Sequence, residues 1–195
     1  MRRLALLRHG STAAVRAAAF GADEPLDERG LAAARALAGG LPRADEAYAS
    51  PAARARQTAS AVGLSDVRID RALAECDFGR WTGRSLAHVH AEEPESATAW
   101  MSDPDAAPHG GEPLSALIAR VRGWLAGQAE LDGRAIAVTH GGVVKAAVVC
   151  VLDAPALAFW RVDVAPLSLT ELHAHDGRWT LARVNAPAAG GAGAA

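Results

Sequence analysis

Two rhythms of apolar residues alternate along the chain, one of short unbroken runs and one of helical spacing. The stretch Arg3 to Thr12, RLALLRHGST, reads as a buried strand that stops at Arg8, His9 and Gly10. Arg134 to Thr139, RAIAVT, is a second buried strand, and it also ends at a histidine and two glycines, His140, Gly141 and Gly142. Shorter strand patterns fall at Glu46 to Ala49 and Val67 to Ile69. Leu167 to Ala174 and Arg178 to Val184 read as two more about the turn His175-Asp176-Gly177.

Helical patterns lie between them. Asp27 stands where an N-cap belongs, and Leu31, Ala34, Leu37, Ala38 and Leu41 follow at helical spacing until Gly39, Gly40 and Pro42 interrupt. Ser50-Pro51 supplies cap and first-turn residues for a helix through Val62. Further helices are expected at Leu86 to Glu92, Pro94 to Met101 and Val143 to Leu152. The longest is Leu114 to Leu131, with Leu117, Ile118, Val121, Leu125 and Ala129 sharing the buried face of Leu114. Ala13 to Pro25 reads as a loop with a short helical piece overhanging the first strand. The glycines of Leu73 to Gly83 and the prolines of Asp103 to Pro113 mark two more loops.

Alternating strands and helices predict a three-layer α/β/α sandwich with a mainly parallel central sheet. The expected boundaries are a single domain over residues 1–185 and a disordered Ala/Gly-rich tail over 186–195. In such sheets ligands bind beyond the carboxyl ends of the strands, which is where Arg8, His9 and His140 fall.

Composition narrows this picture. The 195 residues are 50% hydrophobic with a formal net charge of −2, so no global attraction to nucleic acid or anionic membrane is expected. Of 20 basic residues, 19 are arginine and Lys145 is the only lysine, so a lone arginine carries little weight. Cys76 and Cys150 form no CxxC pair or disulfide framework, and Leu4 to Leu7 is too short for a signal peptide or membrane span. A cytoplasmic location is expected.

Four segments carry chemistry: Arg8-His9-Gly10, the run Ser50 to Ala59 containing Arg54, the Glu75 segment through Asp77-Phe78-Gly79, and Thr139-His140-Gly141-Gly142. Their types and order resemble the histidine phosphatase superfamily, in its phosphoglycerate mutase-like branch, over Arg3 to Asn185. The Asp77 to Gly83 segment followed by Gly110-Gly111-Glu112-Pro113-Leu114 looks like its bacterial α-ribazole and broad-specificity phosphatases. The resemblance implies a phosphoglycerate mutase-like fold and a phosphomonoester hydrolase that needs no metal or organic cofactor. Its partners are a small phosphorylated metabolite and the product phosphate, with no nucleic acid or membrane and with room for a homodimer.

The implied catalytic set is His9, Glu75, Arg8, Arg54 and His140. The implied phosphate contacts are Arg8, Thr12, Arg54, His140 and Gly141. His9 resembles the nucleophile that forms a phosphohistidine, a role that needs a neutral imidazole with its other nitrogen held by an acceptor such as a backbone carbonyl. Arg8 and Arg54 bring planar forks to a phosphate carrying about −1.5 to −2 charge, and Arg54 sits in a first helical turn whose dipole favours an anion. His140 fits a donor to the transferring oxygens, best when protonated. Glu75 fits the acid for the leaving oxygen, with Asp77 as competitor, and a bound dianion beside it favours the protonated carboxyl.

Val15 stands where an asparagine is expected six residues beyond His9, and Ser11 replaces a usual glutamate. Phe78 and Trp81 are expected to pack their loop, His109 to be solvated, and Arg56 to face away from the site. Two rival readings are a phosphoglycerate mutase and a non-catalytic phospho-ligand binding domain. Only 64 residues separate Glu75 from His140, which argues against the longer insertion of a mutase.

Overall fold

In the computed structural model, which describes residues 1–188, a six-stranded sheet with order β3-β2-β4-β1-β5-β6 is flanked by helices on both faces. The strands are β1 (Arg2–Arg8), β2 (Glu46–Ala49), β3 (Arg68–Ile69), β4 (Gly133–Thr139), β5 (Ser168–His175) and β6 (Arg178–Pro187). The first four run parallel, whereas β5 is antiparallel to β1, and β6 to β5. The helices are α1 (Ala13–Arg16), α2 (Glu28–Ala36), α3 (Ala53–Ala61), α4 (Leu86–Glu92), α5 (Pro94–Ser102), α6 (Leu114–Ala129) and α7 (Gly141–Val151).

Alternation along the central strands divides the core. Leu4 and Leu6 of β1 with Ala135 and Ala137 of β4 pack against α6 and α7, whereas Ala5, Leu7, Ile136 and Val138 pack against α2 and α3. A third cluster of Phe20, Trp81, Val89, Ala97 and Trp100 lies under α4 and α5.

Register assembles the site. Arg8 pairs with Thr139 across β1 and β4, and Ala49 pairs with Val138 across β2 and β4. His9, His140 and Ser50 therefore leave the sheet side by side, and the pairing continues one step through His9 N–H to the Thr139 carbonyl at 2.8 Å. Residues distant in sequence meet because three apolar runs end at one edge.

The expected tail begins too early. Ala186 and Pro187 still pair with Leu169 and Ser168, and Ala188 is buried in the core. Backbone pairing to β5 needs no particular side chain, and a proline is tolerated at the end of an edge strand. Residues 189–195 of the expected tail lie outside the described residues. On α6, Gln128 rather than Ala129 is buried, because its Oε1 accepts from the buried Arg2 Nη2 at 2.6 Å.

Candidate active site

His9 is held in one tautomer by its surroundings. Its Nδ1 lies 2.7 Å from the Gly10 carbonyl, which can only accept, so Nδ1 carries the proton. Nε2 keeps its lone pair and accepts from Arg54 Nε at 3.2 Å. Burial, only in part opposed by the Gly10 hydrogen bond, together with Arg54 and Arg8, pushes the imidazole pKa down to about 3. The ring is thus neutral near pH 7, with its Nε2 lone pair facing the Arg54 N–H.

Arg54 follows the start of α3 and is buried, with Nη1 donating to the Ala22 carbonyl and lying 3.7 Å from Glu24 Oε2. One N–H at the α3 terminus is met by the protein itself. Asp23 Oδ1 accepts from Ala53 N at 2.7 Å, which places a carboxylate beside the start of α3. Arg56 is exposed, as its spacing predicts.

Arg8 donates through Nη1 to the Val164 carbonyl, while its buried Nε has no partner among the described residues. His140 is fully buried with its ring centroid 5.1 Å from that of His9. Its Nε2 is 2.7 Å from Ser50 Oγ, and its Nδ1 has no hydrogen-bond partner among the described residues. Ser50 Oγ also accepts from Ala52 N at 3.3 Å and can donate its own proton to Nε2, a pairing in which the ring proton stands on Nδ1. Burial, then the neighbouring His9, Arg54 and Arg8, hold the His140 pKa well below the ordinary value. The imidazole is therefore neutral in this structure, while the protonated donor expected from the sequence concerns the phosphate-bound state, where a dianion beside the ring favours its charged form.

Glu75 is fixed from three sides. Its Oε1 accepts from Cys76 N at 3.0 Å and its Oε2 from Gly142 N at 3.2 Å, in the first turn of α7. A Cβ on Gly142 would stand 2.2 Å from Glu75 Oε1, so the second glycine of Thr139-His140-Gly141-Gly142 leaves the room the carboxylate occupies. The preceding segment is pinned by Thr139 Oγ1, which donates to the Leu73 carbonyl at 2.7 Å. Arg120 adds bonds to the carbonyls of Ala72 at 2.8 Å and Ala74 at 2.9 Å. Asp77 is exposed and accepts from Gly79 N at 2.9 Å, so it closes its own turn and does not line the site.

A cavity of about 200 Å³ is lined by Arg8, His9, Val15, Arg54 and Glu75, and a second of about 240 Å³ shares Arg8, Glu75 and Phe78 with it. His140 lines a third recess with Ser50, Arg54 and Glu75.

A sequence model of the histidine phosphatase superfamily (branch 1) matches residues 4–187. The chain belongs to that superfamily. It is 33% identical over 198 residues to the bifunctional protein Rv2228c of Mycobacterium tuberculosis, covering 94% of this chain and 53% of the relative. The chain thus spans about half the length of that curated relative. Glucosyl-3-phosphoglycerate phosphatase of Mycobacterium tuberculosis is 33% identical over 193 residues, covering 89% of this chain and 86% of the relative. The crystal structure of the α-ribazole phosphatase of Shigella flexneri superposes with a TM-score of 0.83 at 29% identity, covering 98% of this chain and 99% of that one.

Within this histidine phosphatase fold, the structure brings Arg8, His9, Arg54, Glu75, His140 and Gly141 together, but not Thr12. The Thr12 hydroxyl is buried, accepts from Val15 N at 3.2 Å to cap α1, and donates to Glu24 Oε1 at 3.0 Å. Ser11 donates to Asp27 Oδ2 at 2.9 Å and so ties the loop after β1 to the cap of α2. His109 is buried against Trp81, with Nδ1 accepting from Gly111 N, contrary to a solvated entrance residue. Trp81 is buried in the third cluster, whereas Phe78 lines both main cavities.

Sequence reasoning missed Glu24 in the cavity beside His9, and Trp100, Phe159 and Trp160 in its neighbour. It also missed Arg120 as the clamp on the Glu75 segment. An arginine at an exposed-looking helical position gives no local signal of its carbonyl partners.

Proposed function

We propose that the chain is a phosphomonoesterase acting on a small phosphorylated metabolite through a phosphohistidine at His9. Nε2 of His9 attacks phosphorus along the line of the departing ester oxygen, forming the N–P bond as the P–O bond to the alcohol breaks. Glu75 gives its proton to that oxygen. The resulting carboxylate then takes a proton from water, whose oxygen attacks phosphorus, and inorganic phosphate leaves with His9 neutral again. Arg8 and Arg54 hold the phosphoryl oxygens, and His140 donates a ring N–H to them.

The observation that carries this reading is the neutral, tautomer-fixed His9 with Nε2 among Arg8, Arg54 and Glu75. Thr12 supports α1 rather than touching phosphate, and Gly141 shapes the wall beside Arg8. All these groups come from one chain, so the reading is compatible with a monomer or a homodimer. A cytoplasmic setting agrees with two free cysteines and with no described helix long and apolar enough to cross a membrane.

Phosphate release from 4-nitrophenyl phosphate tests the reading. Wild-type turnover that vanishes in His9→Ala supports it, and full turnover in that variant sinks the nucleophile assignment. Isomerisation of 3-phosphoglycerate to 2-phosphoglycerate faster than phosphate release would favour a mutase. No release across sugar phosphates, nucleotides, phosphoglycerates and α-ribazole phosphate would favour a binding domain.

A further inference from the structure

The second cavity has a different chemistry from the phosphate site it adjoins. Its walls are Phe78, Trp100, Phe159, Trp160, Leu114 and Leu117, brought from the Glu75 loop, α5, α6 and the 3₁₀ turn Ala156–Arg161. Into this apolar space α7 brings Lys145, the only lysine of the chain. Its ammonium stands 5.4 Å from the centroid of the Phe159 ring. Among the described residues it has no hydrogen-bond acceptor, and no carboxylate lies within 4.0 Å of it.

Two carboxylates share the cavity and neither neutralises Lys145 by contact. Asp163 is exposed at the rim and its Oδ1 accepts from its neighbour Val164 N at 2.9 Å. Glu75 is tied to Cys76 N and Gly142 N on the reaction side. Burial lowers the Lys145 pKa from its ordinary value, with Asp163 and Glu75 opposing and Arg8 adding to the effect. A half-buried ammonium with three donors and no acceptor is matched by an incoming anion.

We propose that this cavity is a leaving-group subsite for phosphomonoesters whose alcohol has a flat apolar body bearing a carboxylate, with Lys145 selecting the carboxylate. The inference rests on the phosphomonoesterase reading above, because Arg8 and Glu75 form the seam at which the scissile oxygen would sit. At about 240 Å³ the space suits one ring and its substituent. Aromatic walls favour a ring over a polyol, since they offer faces and edges rather than hydrogen bonds.

The test compares 4-carboxyphenyl phosphate with its neutral isostere 4-carbamoylphenyl phosphate in wild type, Lys145→Gln and Lys145→Arg. A charge-assisted bond in a partly buried site is worth on the order of tenfold. Lys145→Gln is expected to lower the carboxyl-to-carbamoyl ratio of kcat/KM about tenfold, chiefly through KM, with Lys145→Arg keeping most of it. An unchanged ratio with both esters still hydrolysed overturns this inference and leaves the phosphomonoesterase reading standing. No hydrolysis of either ester or of 4-nitrophenyl phosphate by wild type overturns both. A measurement on wild type alone covers a variant that fails to fold. There 4-hydroxybenzoate should inhibit about tenfold more tightly than 4-hydroxybenzamide, and equal inhibition overturns the proposal.

Discussion

Gly142→Ala tests the acid role proposed for Glu75. The new Cβ would lie 2.2 Å from Glu75 Oε1, 3.1 Å from its Cδ and 3.4 Å from Oε2. The clashing group is the end of a flexible side chain, so the carboxylate moves and the fold stays. Gly142 has no positive φ, and alanine is the better helix former by about 0.5–1 kcal/mol, which offsets part of the cost of displacing Glu75. Melting should therefore shift little. Loss of a positioned acid and base is worth about 10²- to 10⁴-fold, and it bears most on esters with a poor leaving group. We expect kcat on an alkyl phosphate such as glycerol phosphate to fall by about that factor. The rate of enzyme phosphorylation by 4-nitrophenyl phosphate, whose leaving oxygen needs less help, should fall much less. Rapid-quench measurement of the phosphorylation step with the two esters gives the comparison. Equal losses on both, or wild-type kcat on the alkyl ester, would refute the assignment of Glu75 to the leaving oxygen.

Other consequences follow from neighbouring groups. Asp77→Asn should stay within a few-fold of wild type on alkyl phosphates while Glu75→Gln loses about 10²- to 10⁴-fold, and the reverse order would exchange their roles. Glu24→Gln removes a carboxylate from the cavity lined by Arg8, His9 and Arg54, so inhibition by inorganic phosphate should strengthen by about three- to tenfold; unchanged inhibition would show that Glu24 does not oppose the anion. Stability should fall on acidification. The unfolded chain binds the His9 proton near pH 6.5, whereas the folded chain binds it only near 3. The contribution is present above about 6.5 and is lost as pH falls toward 3, with the slope rising toward about 1.4 kcal/mol per pH unit well inside that window. His140 acts in the same direction. Urea melts between pH 7 and 5 should show this loss, and His9→Gln should flatten it; an unaltered slope in the variant would contradict the buried neutral His9.

The central strands were legible because each is a short apolar run with polar residues at its end, and parallel pairing then brought His9 and His140 together without further information. The spacing of Leu114, Leu117, Ile118, Val121 and Leu125 likewise predicted the buried face of α6. The residues proposed to face phosphate were readable as local motifs. What escaped were contacts that no local pattern encodes. Trp100 and Trp160 meet with ring centroids 4.6 Å apart and line the second cavity, yet neither differs in sequence from an ordinary core tryptophan. Asp23 and Glu24 sit in a segment without periodicity, so neither the capping of α3 nor the pairing with Arg54 had a signature. His109 is buried because Gly79 and Gly111 let two loops touch, where a Cβ on Gly111 would lie 2.0 Å from the Asp77 carbonyl. The end of β6 was missed because Ala186-Pro187-Ala188 has a loop-like composition while its order comes from β5.

The central claim is that phosphate passes through His9. Rapid quenching during turnover of 4-nitrophenyl phosphate, followed by mass analysis of peptides, tests it most directly. The account predicts a phosphoryl group on the peptide holding His9, labile in acid and stable in alkali, absent in His9→Ala. Phosphate on any other residue, or undiminished turnover by His9→Ala without a covalent intermediate, would contradict it.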